Sequence, residues 1–508
     1  MHGKSPAGGW KASALTLAVG LALASVSFAQ SPPPASSSAG TVTGTVTGTS
    51  GSTSNNNEQL DRLAAEVAQL KAAIAALQAA AAAPARAPEV AETSEAATAG
   101  VASAADVAEL ARRIDILAAE LEQMRLGESA PAAAAAGGGI AGTGFGPAAS
   151  KVYAVEQGLS IGGYGEMVYQ GFAAQRDDGV DSGRKDELDF LRAVLYFGYK
   201  WNDDWLFNSE IEWEHAKAGE GQRGEVAVEF AYLERRIRPE INARAGLLLV
   251  PMGFINELHE PTTFLGARRP GIEQAILPTT WRENGAGIFG EVGPITYRSY
   301  LMNGLEAERF AAGGLRSARQ NGARAVAENL AWVARIDWTA IPGFVAGVSG
   351  YVGDSAQGLA DAAGELSVDT RLLELHAEWR GHGLQVRGLW VEGDLDGVAR
   401  LNQKLVLAGN RSVGEELAGY YVEAGYDVFS FGQSRQALIP FARFESYDTQ
   451  EAVPAGFTRN PANEIETLTL GVNWKPIEQL IFKADWQDVE NGAGTGVDQW
   501  NLSLGYIF

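Results

Sequence analysis

Gln499-Trp500-Asn501-Leu502-Ser503-Leu504-Gly505-Tyr506-Ile507-Phe508 is the stretch whose alternation decides the fold. Successive side chains of an extended strand point to opposite faces. Trp500, Leu502, Leu504, Tyr506 and Phe508 therefore share one face, and Gln499, Asn501, Ser503 and Gly505 share the other. One face is apolar and ends on an aromatic ring; the opposite face is polar and small. A strand with lipid on one side and a wet lumen on the other has this pattern.

The amino-terminal end agrees. Lys4 and Lys11 supply positive charge, Ala12 to Val26 is mostly apolar, and Ser27-Phe28-Ala29 is a small-x-small cleavage site. Residues 1–29 are expected to be a signal peptide with Gln30 as the first mature residue. The apolar core is too short to span a bilayer. No cysteine occurs in the chain, which excludes a lipid-bearing cysteine, disulfides and thiolate metal sites. No later stretch of about 20 apolar residues exists, so a membrane-embedded chain could cross only as a closed barrel. The terminal strand resembles the signal by which barrel-assembly machinery recognises outer-membrane proteins. That resemblance implies a Gram-negative outer membrane, with Trp500, Leu502, Leu504, Tyr506 and Phe508 carrying the signal.

Working back along the chain, residues 151–508 divide into sixteen strand-like segments, among them Glu187–Lys200 and Ala437–Asp448, an even number as bacterial barrels require. Trp205, Phe207, Ile211 and Trp213 oppose Asn208, Glu210, Glu212 and Glu214; Leu480, Phe482, Ala484 and Trp486 oppose Lys483, Asp485 and Gln487. Connections alternate long and short. The short ones carry turn residues, as in Trp201-Asn-Asp-Asp204, Ile341-Pro-Gly343 and Gly381-His-Gly383. Short turns at one end and long loops at the other are expected of a barrel threaded through a membrane. The fold class expected is therefore all-β, a sixteen-stranded antiparallel transmembrane β-barrel. Gly162, Gly163 and Gly165 read as barrel bends.

An extension precedes the barrel. Residues 30–57 form a Ser/Thr/Gly tract that cannot bury enough to fold. Over 58–82, Leu60, Leu63, Val67, Leu70, Ile74 and Leu77 follow coiled-coil spacing. After an Ala/Pro linker at 83–104 the spacing returns over 105–126 as Val107, Leu110, Ile114, Leu117, Leu121 and Met124. Glu66 with Lys71, and Glu120 with Arg125, occupy the flanking g and e positions. Helices this short need a partner: other chains, or each other as a hairpin. A flexible linker is expected at 127–150.

Glu187-Leu-Asp-Phe-Leu-Arg-Ala-Val-Leu-Tyr-Phe-Gly-Tyr199 and Asn208-Ser-Glu-Ile-Glu212 resemble strands of the phosphate-selective porin O/P-like family. So do Pro251-Met-Gly-Phe-Ile-Asn-Glu-Leu-His-Glu-Pro261 and Trp281-Arg-Glu-Asn-Gly285. The resemblance implies a sixteen-stranded porin, usually a homotrimer in outer-membrane lipid, that passes small anions by diffusion.

The third long connection, Pro251 to Arg282, holds Phe254, Ile255, Phe264, Leu265 and Ile276, apolar groups that an exposed tip does not need. A loop of this length is usually functional. Folded into the lumen, it would bring Glu257, His259, Glu260, Arg268, Arg269 and Glu273 to the constriction, where opposed charges filter ions by sign. The alternative is that Arg268 and Arg269 pair with wall carboxylates and hold the loop down. The wall itself would present Glu210, Glu212, Glu214, Arg298, Arg335, Asp337, Arg387 and Lys483 to the lumen. Arg316 and Arg319, on the fourth long loop, are expected to lie away from the constriction.

Acidic residues exceed basic ones by 62 to 40, for a formal charge of −22, which gives no expectation of a nucleic-acid partner. No cofactor, metal or catalytic set is expected: His215, His376 and His382 lack ligand spacing, and Glu392-Gly-Asp-Leu-Asp-Gly397 is only a fragment of a calcium loop. Three readings follow. The chain is a passive porin, a barrel anchoring a periplasmic coiled coil that reaches the cell wall, or a coiled-coil adhesin. Each coil would span about 30 Å at 1.5 Å per residue.

Overall fold

The computed structural model describes residues 144–508, except 218, 220–222 and 433. The expected signal peptide, the linkers up to residue 143 and both coiled-coil segments lie outside the described residues.

Sixteen strands form one closed antiparallel barrel. In chain order they are β1 (Gly158–Phe172), β2 (Glu187–Lys200), β3 (Trp205–Glu214), β4 (Val226–Arg238), β5 (Ile241–Leu249), β6 (Arg282–Val292), β7 (Ile295–Asn303) and β8 (Leu330–Trp338). Then follow β9 (Phe344–Asp354), β10 (Asp369–Gly381), β11 (Leu384–Leu395), β12 (Glu416–Tyr426), β13 (Ala437–Ala452), β14 (Glu464–Ile477), β15 (Leu480–Asn491) and β16 (Gln499–Ile507). Each pairs with its sequence neighbours, and β16 closes on β1, with Tyr164 opposite Ile507 and Gly171 opposite Trp500. Closure leaves no unpaired edge to face lipid.

Alternation determines what each face meets. On β16, Trp500 and Leu502 are 63% and 53% exposed, whereas Asn501 is fully buried. On β15, Phe482 is exposed, while Lys483 and Asp485 are buried. Outward aromatics gather at two levels. Tyr199, Trp201, Trp205, Trp338 and Trp474 lie near the short turns; Phe190, Trp213, Trp332 and Trp500 lie near the long loops. Pairs such as Trp474–Phe482, with ring centroids 5.3 Å apart, knit the lower level across strands. Two aromatic levels flanking an apolar band mark the two interfaces of a bilayer.

Short turns (201–204, 239–240, 293–294, 339–343, 382–383 and 478–479) lie at one end. The long loops at the other end include the third, 250–281, and the fourth, 304–329. The main sequence-derived strand boundary to move is that of β13, which runs to Ala452 rather than Asp448. The expected linker at 127–150 also needs correction at its end. Gly144–Ala154 is packed inside the barrel at the short-turn end, with Ala148, Ala149 and Ser150 all buried. Phe145 and Tyr153 supply the reason: an otherwise small-residue stretch gains aromatic surface worth burying.

Candidate functional site: a lumen filled by a loop and the segment ahead of β1

The third long loop turns into the lumen. Met252, Phe254, Ile255, Ile272, Ile276 and Trp281 are at most 3% exposed, and they pack with inward residues such as Tyr300, Tyr351 and Tyr421. The loop backbone is tied to cations on the wall. Arg335 donates to the Gly253 carbonyl, Arg380 and Arg387 to Thr263 (3.3 and 3.4 Å), and Lys475 to Thr262 (2.9 Å). Lys483 Nζ donates to the carbonyls of Phe264 and Gly266 (3.0 and 2.8 Å) and sits 3.7 Å from the centre of the Phe264 ring. Arg443 reaches the Arg268 carbonyl at 3.3 Å, while the Ala267 amide donates to Asp485. Hydrogen bonds with a charged partner are the stronger kind, and here they satisfy carbonyls that a buried loop cannot offer to water. Glycines make room: a Cβ on Gly505 would lie 2.6 Å from Pro261, and one on Gly425 would lie 2.8 Å from Leu265.

All six constriction candidates fall inside the barrel, but in different roles. Glu257 lies 3.3 Å from Arg298 and 3.8 Å from Arg335, joining the loop to two wall arginines. His259 is held between the Asn256 carbonyl (2.9 Å) and Glu210 (3.1 Å). Glu273 ties its own loop to the wall, accepting from the Ile255 amide and the Tyr421 hydroxyl, both at 2.7 Å, and burial raises its pKa. Glu260 accepts from the amides of Ala148 and Ala149, each at 3.0 Å, and burial pushes its pKa up to about 7.

Neither Arg268 nor Arg269 pairs with a wall carboxylate. Arg268 donates to the Gln170 side chain at 3.2 Å, and Arg269 to the His259 carbonyl at 3.3 Å. The expected way of holding the loop is reversed, because wall cations bind its carbonyls and leave its own cations over. The fourth long loop adds two more. Arg319 donates to the carbonyls of Pro278 and Thr280. Among the described residues, none of Arg268, Arg269, Arg316 and Arg319 has a carboxylate at ion-pair distance. Burial lowers the pKa of Arg268 and Arg269. Arg316 keeps solvent contact, yet the protein around it and next the charges of Arg319 and Arg269 push it down to about 9. Arg319 falls to about 10, through burial and then Arg282. The fourth loop thus leans against the third: it brings Arg316 within the field of Arg269 and Arg319 onto the carbonyls of Pro278 and Thr280, contrary to expectation.

On the wall, Arg298 pairs with Asp337 at 3.2 Å and Arg387 with Glu378 at 2.7 Å. Arg335 meets Asp337 and His376, whose other ring nitrogen faces Glu374 at 2.8 Å. Glu212 lies 3.3 Å from Arg192. Glu214, at the end of β3, is half-buried, beyond the packed zone. Among the described residues no cluster of His, Asp or Glu is suited to a metal ion.

Gly144–Ala154 was missed from the sequence. Phe145 stacks on Tyr232 (5.6 Å) and lies 5.0 Å from Phe230, with the Arg244 guanidinium 5.0 Å above its ring. Tyr153 donates to Glu234 at 2.8 Å, and Asn208 donates to the Ala149 carbonyl at 3.0 Å. Gly162 and Gly198, on β1 and β2, are clearances for this segment. A Cβ on the first would lie 2.7 Å from the Ala148 carbonyl oxygen, and one on the second 2.5 Å from the Val152 Cβ. The available signal was Phe145, the one aromatic residue in 31–150.

A closed barrel, apolar outside and charged within, is a membrane-spanning β-barrel with a narrowed lumen. The chain belongs to one family with a protein of Aquifex aeolicus (strain VF5) described as an uncharacterized protein. The two are 37% identical over 352 residues, 68% of this chain and 78% of the relative. No protein-family model matches the chain. Among solved structures it resembles OmpF of Salmonella typhi in complex with daunomycin, at 13% identity and TM-score 0.46, over 70% of this chain and 98% of that one. It also resembles the anion-selective porin of Comamonas acidovorans, at 11% identity and TM-score 0.44, over 70% of this chain and 100% of that one.

Proposed function

We propose that this protein is an outer-membrane porin that lets small ions and solutes diffuse through a narrowed lumen, with a preference for anions. The observation that carries the reading is the set of four arginines, Arg268, Arg269, Arg316 and Arg319, on the third and fourth loops without a carboxylate partner among the described residues. Cations left over at a narrow, low-dielectric passage raise the local concentration of anions and repel cations. The surplus of acid in the chain does not oppose this, because net charge bears on solubility rather than on the field at one constriction. Phosphate, implied by the family resemblance, is one anion this field would accept. The finer assembly reading is a homotrimer, inserted by the barrel-assembly machinery through its terminal strand. In this reading the residue 58–126 coiled coil stands in the periplasm and contacts the cell wall.

Reversal potential in a salt gradient across a planar bilayer tests the preference. Arg268→Ala with Arg269→Ala is expected to move it toward cations. Arg184→Ala with Arg411→Ala, on exposed loop positions, is expected to leave it in place. An unmoved potential in the first pair would remove the arginines from selectivity.

A second reading, the barrel as an anchor for the extension, is favoured by the filling of the lumen. It requires that no current pass in any state.

A further inference from the structure

We infer that Gly144–Ala154 is a removable plug at the short-turn end of the barrel, whose release widens the lumen. The inference rests on the channel reading above.

The segment occupies a fitted seat. Phe145 fills an aromatic pocket, the Glu260 carboxylate collects two consecutive amides, and Gly198 gives up its side chain to admit Val152. Gly144 itself has φ +79° and no space for a side chain between Glu257 and Arg298. It is thus shaped to pass the chain between an acid of the loop and a base of the wall. The seat nevertheless differs from a strand pairing. Gly144–Ala154 forms no ladder with the barrel and holds only a four-residue helical turn, Lys151–Ala154. Its polar partners are Glu260, Glu234, Asn208, Tyr232 and Arg244, groups that water entering the vacated seat can satisfy. On departure Arg244 keeps Glu234 and Tyr300, Asn208 keeps the Tyr232 hydroxyl, and β1 keeps its pairing with β2 and β16.

The segment enters β1 directly. The two-state element is the seated or released segment, and whatever prefers one of the two states shifts the balance between them.

The experiment uses the full chain with Val152→Cys and Gly198→Cys, in a protein with no cysteine of its own. The built Cβ atoms lie nearer than a disulfide requires, so a small outward shift of the segment suffices. The expected result is a disulfide on oxidation, low ion conductance in planar bilayers with KCl, and a several-fold rise on reduction. Phe145→Ala with Tyr153→Ala, checked for barrel formation by heat-dependent gel mobility, is expected to conduct like the reduced form. Failure to crosslink, or equal current in oxidised and reduced protein, would overturn the plug while leaving the channel intact. Absence of current in every form despite crosslinking would overturn the channel reading, and the gate with it.

Discussion

Two pieces of chain fill the same lumen and are held in opposite ways. The third long loop is fixed at both ends to strands, and wall cations bind its carbonyls at Gly253, Thr262, Thr263, Phe264, Gly266 and Arg268. Gly144–Ala154 leads directly into β1, and it is held by aromatic packing, the carboxylates of Glu260 and Glu234, and the side chains of Asn208, Tyr232 and Arg244. A piece secured by buried charge is costly to lift, because each removal strands a desolvated cation. Among the described residues, the other piece takes a hydrogen bond from a single buried cation, Arg244, which keeps Glu234 and Tyr300 when the segment leaves. The difference separates a permanent lining from a movable part.

The comparison can be broken at its strongest point. Lys483→Met removes two charged hydrogen bonds to the loop, each worth roughly 1.5–3 kcal/mol. It is expected to lower the thermal midpoint of the barrel, read by heat-dependent gel mobility, and to open residues 261–267 to protease. An unchanged midpoint would show that the loop needs no cationic anchor.

Gly198→Val acts on the other piece. The new side chain collides with Val152, an overpacking worth about 1–3 kcal/mol. Cleavage of the segment by protease is expected to rise about tenfold or more, given that 1.4 kcal/mol is a factor of ten, while the barrel midpoint holds. A fall in that midpoint instead would make the segment part of the permanent structure.

The smallest effect is expected from pH. Glu260 titrates near 7 when covered, against an ordinary 4.5 for a hydrated carboxyl. Because its pKa is raised in the seated state, that state binds the proton more tightly. Glu260 therefore favours seating fully below about 4.5 and loses this effect as pH climbs through about 7. Conductance is expected to rise across this window. His259 and Glu210 face the same carboxyl, and their charges act in opposite directions on it; Tyr196 also lies within its field. Glu260→Gln should flatten the profile, and an unaltered profile would assign it to another group.

Most of the barrel was legible because a period-two pattern is rigid: a strand slipped by one residue would turn Trp213 inward and Glu212 toward lipid. The bounds of Glu187–Lys200 were read without error because a turn of Asn and Asp ends it, although its alternation changes phase at Phe190–Leu191, where the pairing with β1 is irregular. β13 was cut short because Thr449 and Gln450, near the loops, answer to hydrogen-bonding partners rather than to lipid. The inward loop was readable from its surplus of apolar residues. Its charge pattern was not, since spacing cannot tell whether a wall lysine meets a carboxylate or a backbone carbonyl. Arg316 and Arg319 were misplaced for a related reason: loop rank gives the order of loops, not which of them lean together. Gly162 was taken for a bend because a clearance shows only once its occupant is seen.

Cysteine accessibility in intact cells tests the central claim most directly, that the third long loop lies inside the barrel. Thr263 is 2% exposed, while Ala362 and Gly409 stand on exposed loops. With a bulky external thiol reagent, Thr263→Cys is expected to stay unlabelled while Ala362→Cys and Gly409→Cys label fully. Equal labelling at all three positions would put the loop outside and contradict the account.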